Sequence, residues 1–397
     1  MGAFAAVMTG EGTGAIATIQ LYGRDAAAVL GKIFVRAGKK CARFETGQIL
    51  LGSVVDGERI IDQVTIGCEA PLTFAINCHG NPLIVEMIME LLDKSGVVLV
   101  GAEELLARTL SADKSLNAIA IESRLAQLKA KTLEGTKIIA NQIDSGLSTM
   151  LAKWLDNIDS TALSDITDGA ARILADSEVA RLIMFGCTTV LAGPPNSGKS
   201  TLLNCLAGRE KAIVTDIGGT TRDWVGAECR IGPLLLELID TAGLDEKLGA
   251  AAETVEKAAQ QKSAEMLERA DVVLLVLDGS QPADQLNMLP IEKLSAGKVV
   301  TILNKSDLPG QFDIAGLPRA LGGPVRISAK LQTGIDGLRE EILRTTGAAR
   351  FDRKTPVCFT PRQQSLLQSL TLAISKDHAR RTLNQLLNGC RTPLDDY

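Results

Sequence analysis

The sequence predicts a multidomain α/β and α chain: an α/β domain at 185–345, set within a helical bundle and preceded by a small α+β domain. Three observations predict this. From about 185 to 345, short β-branched runs bounded by turn residues (TTVLA, LLLELID, VVLLVLD, VVTILN, VRIS) alternate with helical patterns. Such runs suit parallel strands buried on both faces. From about 103 to 180 the apolar period is helical, with Ile121, Leu125 and Leu128 on one stripe. Ile139, Ile143, Leu147, Met150 and Trp154 continue that stripe on one face. Beyond the α/β region, Thr360-Pro361 offers an N-cap with proline in the first turn, and Leu366, Leu370 and Ile374 repeat helically. That last helix needs a partner, and the earlier bundle is the nearest unfilled surface.

Residues 1–95 mix β-type runs (AIATIQLYG, RIIDQVTIGC) with glycine breaks and one helix-like segment, PLIVEMIMELL. The expected division is therefore 1–95 for the α+β domain, 96–184 and 346–397 for the two parts of the helical domain, and 185–345 for the inserted domain. A chain of 397 residues is long enough for several cores. Its 46% apolar and 22% charged composition is that of an ordinary globular protein. A net charge of −5 sets up no global basic field of the kind expected for DNA binding, so any RNA contact needs a local patch. The eight cysteines contain no C-x-x-C pair, which argues against disulfides or zinc and fits a reducing compartment. With only His79 and His378, histidine-based metal sites and triads are not expected, and His79 reads as structural. The N-terminus lacks a basic segment followed by an apolar core, and LIMFGCTTVLAG is too short to span a bilayer. The expected localisation is cytoplasmic, with no membrane contact.

The chemistry-bearing motifs lie in the α/β region. Gly193-Pro-Pro-Asn-Ser-Gly198-Lys199-Ser200 fits the G-x-x-x-x-G-K-[ST] phosphate loop, after a strand and before the helical segment STLLNCLAG that contains Thr201. Its glycines let backbone N–H groups face phosphates at a helix N-terminus. Lys199 would reach the β- and γ-phosphates, and Ser200 would ligate Mg²⁺. Asp240-Thr-Ala-Gly243 ends a strand, where Asp240 can hold a magnesium-bound water and the Gly243 N–H can meet the γ-phosphate. Asn304-Lys305-Ser306-Asp307 follows VVTILN, and the Asp307 carboxylate can accept from guanine N1–H and N2–H₂. Adenine offers neither donor, so an unmatched carboxylate penalises ATP. Ser328-Ala329-Lys330 ends VRIS and can offer a backbone N–H to guanine O6. Four such elements in order predict a P-loop GTPase α/β domain binding GTP or GDP with Mg²⁺. In TDIGGTTRD (215–223), Thr221, ahead of its neighbour Thr220, is expected as a second Mg²⁺ ligand. A Gln soon after Asp-x-x-Gly orients water in Ras-type enzymes, but here Leu244 follows Gly243 and the next Gln is Gln260.

With GPPNSGKSTLLNCLAGREKAIVTDIGGTTRD and LIDTAGLDEK in view, the chain resembles the MnmE (TrmE) tRNA modification GTPases. The likeness extends upstream through INCHGNPLIVEMIMELL and ADKSLNAIAIESRL. It implies an N-terminal domain of folate-binding type and a homodimer formed through the G domains. It also implies potassium in place of an arginine finger, with Asn196 helping to bind the ion and a loop through Thr215, Ile217 and Thr220 completing its shell. The Asn196 side chain can equally fix the shape of the loop. The water-positioning residue of the family falls on Glu256, with Glu253 as the rival. The implied partners are tRNA and an MnmG-like flavoprotein, with wobble uridine as the modified base.

Departures from the family pattern concern the modification rather than the nucleotide. The family's Phe-Cys-x-Gly-Lys ending is replaced by NGCRTPLDDY, so its cysteine role is not carried to Cys390. Gln20 stands where the family has a folate-contacting Arg, and Ala75 where it has a Glu, while Lys114 persists. Losing a guanidinium and a carboxylate removes charge-assisted contacts, which argues against folate binding. The alternative reading is a GTP-driven conformational switch or assembly GTPase that has lost the modification. A ribosome-assembly protein with two G domains, or with a C-terminal KH domain, does not fit the single G region and the absence of a KH-type loop.

Overall fold

The computed structural model describes residues 2–10, 12–37, 44–209, 226–240, 266–284 and 299–389, apart from the side chains at 209 and 320. They form two compact units: residues up to 125 with those described beyond 387, and residues 126–387.

The first unit runs β1 (Ala3–Val7), β2 (Ile16–Gly23), α1 (Ala26–Ile33), β3 (Phe34–Arg36), β4 (Ile49–Asp56), β5 (Arg59–Ala70), β6 (Thr73–His79), α2 (Pro82–Lys94), β7 (Val98–Leu99), α3 (Ala102–Ser111) and α4 (Ala118–Gln127). Its strands make one seven-stranded sheet in the order β3-β4-β5-β6-β2-β1-β7. All neighbours are antiparallel except β1 and β7. The period-two pattern of IATIQLYG buries Ala17, Ile19 and Leu21 on one face, where α1 and α2 supply Leu30, Ile88 and Leu92 to the same core. Helix α2 starts where the Asn81 side chain accepts the Leu83 N–H at 3.0 Å, with Pro82 in the first turn. His79 has a partner that sequence proximity does not show. Asp62 of β5 accepts the His79 backbone N–H at 2.9 Å and meets its Nδ1 at 2.7 Å.

The second unit runs α5 (Leu133–Asp144), α6 (Leu147–Asp156), α7 (Leu163–Phe185), β8 (Cys187–Ala192), α8 (Lys199–Arg209), β9 (Ala227–Ile231), β10 (Leu234–Asp240), β11 (Val272–Asp278), β12 (Val299–Asn304), β13 (Val325–Arg326), α9 (Ile335–Thr345), α10 (Pro361–Thr371) and α11 (Lys376–Asn388). Its sheet order is β13-β12-β11-β8-β10-β9. Every residue of β11 and β12 is buried, as their unbroken apolar runs require. The sheet is mixed rather than wholly parallel: β9 is antiparallel to β10. Ile231 pairs with Leu234 across Gly232-Pro233, and Gly232 has φ +56°. Two residues make a hairpin, not a crossover, and glycine fits the first central position.

The helical layer of this unit is closed by two buried polar side chains. Gln142 of α5 accepts the N–H groups of Leu147 (2.9 Å) and Val357 (3.0 Å) and donates to the Thr355 carbonyl (3.1 Å). Ser177 of α7 accepts the Cys358 N–H at 2.8 Å. Segment 355–358 is thereby tied to helices that precede the sheet. Gly135 lets α5 approach α7, since a Cβ there would lie 2.5 Å from the Met184 Cα.

Three helical expectations are corrected. The stripe from Ile139 to Trp154 belongs to two helices, because the Gln142 amide takes the Leu147 N–H and the chain restarts at Gly146. Leu128 lies beyond the end of α4 and is exposed. In α10 the buried residues are Gln363, Leu367 and Leu370, while Ile374 lies past the helix and is 91% exposed. The Gln363 side-chain Oε1 accepts the Phe359 N–H at 3.0 Å, which sets the inward stripe on Gln363.

Replacing Gln142 by Ala leaves two buried N–H groups without their acceptor and opens a void. The expected loss is about 2–5 kcal/mol, read as a lower urea midpoint for the second unit.

Candidate functional site

The motif residues converge because β8, β10, β11 and β12 are parallel and end at one edge. Asp240 lies beside Leu191, Leu275 beside Ala192, and Asp278 beside Asn304. At such an edge, loops and helix N-termini collect where a ligand can reach them.

The loop from Gly193 to Gly198 is pressed between strands. Gly193 has φ +147°, and a Cβ there would sit 2.1 Å from the Val276 carbonyl oxygen of β11. Gly198 has φ +95°, and its Cβ would sit 2.3 Å from Asn304 Nδ2. Asn196, with φ +61°, takes the left-handed conformation that Asn tolerates better than most residues, and it is exposed. Ser197 is fully buried, and its hydroxyl has no partner among the described residues. Lys199 opens α8 and is buried, its Nζ donating to the carbonyls of Gly193 (2.9 Å) and Pro194 (3.0 Å). Next to it the Ser200 hydroxyl donates to Asp240 Oδ2 at 2.6 Å, while Thr201 is exposed on the helix. The Ser200 hydroxyl and the Asp240 carboxylate are hard oxygen ligands that could take a magnesium ion directly or through water.

One buried amide joins three of the motifs. Asn304 Nδ2 donates to the Ser197 carbonyl at 2.9 Å, and its Oδ1 accepts the Ala329 N–H at 3.0 Å. The Asp307 carboxylate accepts from the Ser328 hydroxyl at 2.6 Å. That hydrogen bond, then its backbone contacts and the positive charges of Lys330 and Lys305, hold Asp307 below the usual carboxylate range. Ser328 pairs locally with Thr333 through two backbone hydrogen bonds of 3.1 Å. The strand β13 is therefore shorter than the run VRIS predicts.

Asp278 escapes a motif search. It is buried at the end of β11, with Oδ2 2.7 Å from Lys305 Nζ and Oδ1 accepting from Ser280 N (2.9 Å) and Oγ (2.6 Å). Burial pushes its pKa up, but the hydrogen bonds from Lys305 and Ser280 outweigh this and leave it lowered. The available signal was a carboxylate ending an otherwise apolar strand and followed by Gly-Ser.

Thr215, Ile217, Thr220, Thr221, Gly243, Glu253 and Glu256 lie outside the described residues, as does Cys390. In the first unit, Gln20 and Ala75 are directly opposed on β2 and β6, and Gln20 Nε2 donates to Glu69 at 2.9 Å. Lys114 is exposed in the turn between α3 and α4. Burial pushes the Cys187 thiol up to about 12 and the Cys78 thiol to about 11, so neither is poised as a nucleophile. Among the described residues no helix is long and apolar enough to cross a membrane, and no cluster of three metal-ligating side chains occurs.

A family model described as 50S ribosome-binding GTPase matches residues 188–305, from β8 to Lys305. The tRNA modification GTPase MnmE of Lactococcus lactis subsp. cremoris is 31% identical over 406 residues, covering 94% of this chain and 87% of that protein. The protein of the same name from Bacillus subtilis is 31% identical over 414 residues, covering 94% and 89%. Among solved structures, the G domain of the T. maritima FeoB iron transporter is 27% identical and covers 40% of this chain and 98% of its own, with a TM-score of 0.30. Relatives of this identity and coverage show that the chain belongs to the MnmE family of tRNA modification GTPases.

Proposed function

We propose that the protein binds and hydrolyses GTP with Mg²⁺ and takes part in modifying the wobble uridine of tRNA. It would do so as a cytoplasmic homodimer stimulated by potassium, beside an MnmG-like flavoprotein. The observation that carries the nucleotide part is the Asn304 amide, which ties the Ser197 carbonyl of the phosphate loop to the Ala329 N–H of the base-reading turn. A loop that holds phosphates and a loop that reads a base are useful together only at a fixed separation, and one rigid amide sets it. The reading keeps 185–345 as a nucleotide domain between helical parts at 96–184 and 346–397, behind the domain at 1–95. It is supported by the ties from Gln142 and Ser177 to segment 355–358.

In this reading Asn196 to Thr201 line the phosphates, and Lys199 offsets charge that develops on the phosphoryl oxygens. Mg²⁺ would be held by Ser200 and Thr221, with Asp240 close enough to Ser200 to hold its water. The ion would neutralise phosphate charge. Asp307 would read guanine, with Lys305, Ser328, Ala329 and Lys330 around it, and Gly243 would meet the γ-phosphate. Glu256 would orient the attacking water in place of the missing Gln. Asn196, Thr215, Ile217 and Thr220 would hold potassium beside the phosphates.

A second reading, a GTP-driven switch without the modification, is favoured by one observation. The facing pair Gln20 and Ala75 carries no charge, and Gln20 is engaged by Glu69. Nucleoside mass spectrometry of bulk tRNA from a strain lacking the gene separates the two. Loss of the modified uridine, restored by the wild-type gene but not by Lys199→Ala, supports the first. An unchanged profile where no other family member exists supports the second.

Four further outcomes are expected. Lys199→Ala lowers GTP turnover by about 100-fold or more, measured by phosphate release. Turnover of the wild type is higher in potassium than in sodium at dimer-forming concentrations. Asn196→Gly, which keeps the positive φ without strain, abolishes that difference while retaining GDP binding; a preserved difference rules out the ion role of the side chain. Labelled formyltetrahydrofolate is expected not to bind at micromolar concentration, by equilibrium dialysis.

A further inference from the structure

Lys305 is held at both ends before any ligand arrives. Its backbone has φ +62°, in the left-handed region that a long side chain seldom adopts. Its ammonium meets Asp278 Oδ2 at 2.7 Å, with the two side chains 32% and 10% exposed. The partner carboxylate cannot swing away, because Oδ1 is taken by the backbone N–H and hydroxyl of Ser280. The turn that carries it is fixed in its own right. Gly279 N–H donates to the Asn304 carbonyl at 2.9 Å, and the Gly279 carbonyl accepts from Gln311 (3.0 Å) and Phe312 (3.3 Å). The strand end β11 and the segment 304–312 thus form one body, and Asp278 is the charged contact within it.

We propose that Asp278 is a positioning residue for guanine-nucleotide binding: it holds Lys305 in the conformation that faces the base, beside Asp307. The proposal rests on the nucleotide reading given above. A lysine stem carries four rotatable bonds, and ordering it only when the nucleotide binds costs affinity. Anchoring its head on a buried carboxylate removes that cost in advance. Lys330 and Lys305 both act on Asp307 through their charge, and the ion pair with Asp278 keeps the Lys305 ammonium from closing onto it. Since the base is bound equally in the triphosphate and diphosphate, the effect falls on affinity for both and not on the chemical step.

Asp278→Asn isolates this role. Asn keeps an oxygen for the Ser280 turn, which it favours, but presents an amide to the ammonium. Binding of fluorescent GDP and GTP analogues to the full chain is measured with turnover, and thermal unfolding monitors the fold. The variant is expected to weaken both nucleotides about tenfold, raising KM while kcat stays within about twofold. In a Lys305→Met background, Asp278→Asn is expected to add nothing, because the partner is gone. Ser280→Ala, which removes the hydroxyl but keeps the backbone N–H on Oδ1 and the ion pair, is expected to weaken binding by less than about twofold. Unchanged affinity in Asp278→Asn, full additivity with Lys305→Met, or an equal loss in Ser280→Ala each overturns the proposal. A wild-type chain that binds no guanine nucleotide overturns the nucleotide reading as well, which separates the two failures.

Discussion

A chain that leaves a helical layer, builds a sheet and returns to the same layer must do so at neighbouring points, and here that constraint is met by hydrogen bonds buried among the helices. Val357 and Cys358 of the returning segment are buried, so their N–H groups need acceptors. Gln142 and Ser177 provide them from helices that precede the sheet. With the return point fixed, α10 can lie along α7, and the sheet between β8 and β13 hangs from two chain crossings. Two ion pairs reinforce the junction: Lys131 with Glu237 of β10, and Arg181 of α7 with Asp271 at the start of β11.

The opposite edge of the sheet follows different physics. There the backbone itself sets the geometry, through two glycines that admit no side chain and one asparagine amide that spans two loops. Around the base-reading turn Lys305 is paired with Asp278 and the Asp307 carboxylate with the Ser328 hydroxyl, so these side chains are ordered before a base arrives. That part of the site holds its side chains in place in advance, the arrangement that loses least when a ligand must be oriented.

Much of this was legible in the sequence. The strands VVLLVLD and VVTILN are apolar enough to be buried on both faces, and the phosphate loop announces itself by glycine spacing and context. What escaped was information held in pairs. Asp278 gains meaning only from Lys305, and His79 only from Asp62, each a partner on another strand or loop. The helix break at Gly146 was hidden because apolar spacing carries across it, while the amide that causes it belongs to Gln142. The edge strand β9 was readable in principle from Gly232-Pro233, a turn signal outweighed by the surrounding parallel pattern. The segments carrying Thr221 and Glu256 lie outside the described residues, and their roles rest on the family resemblance.

The ties made by Gln142 and Ser177 also bear on the order in which the molecule assembles. They join positions 215 and 181 residues apart in the chain. Closing so long a loop as a free coil is slow and entropically unfavourable, but a folded α/β domain between the ends shortens the effective loop to a few residues at each crossing. A ribosome releases α5 and α7 well before it makes α10, so their inner faces must wait uncovered while the intervening domain forms. The helical layer is thus the last part of the second unit to close, and its nascent surface is the part most in need of protection during synthesis.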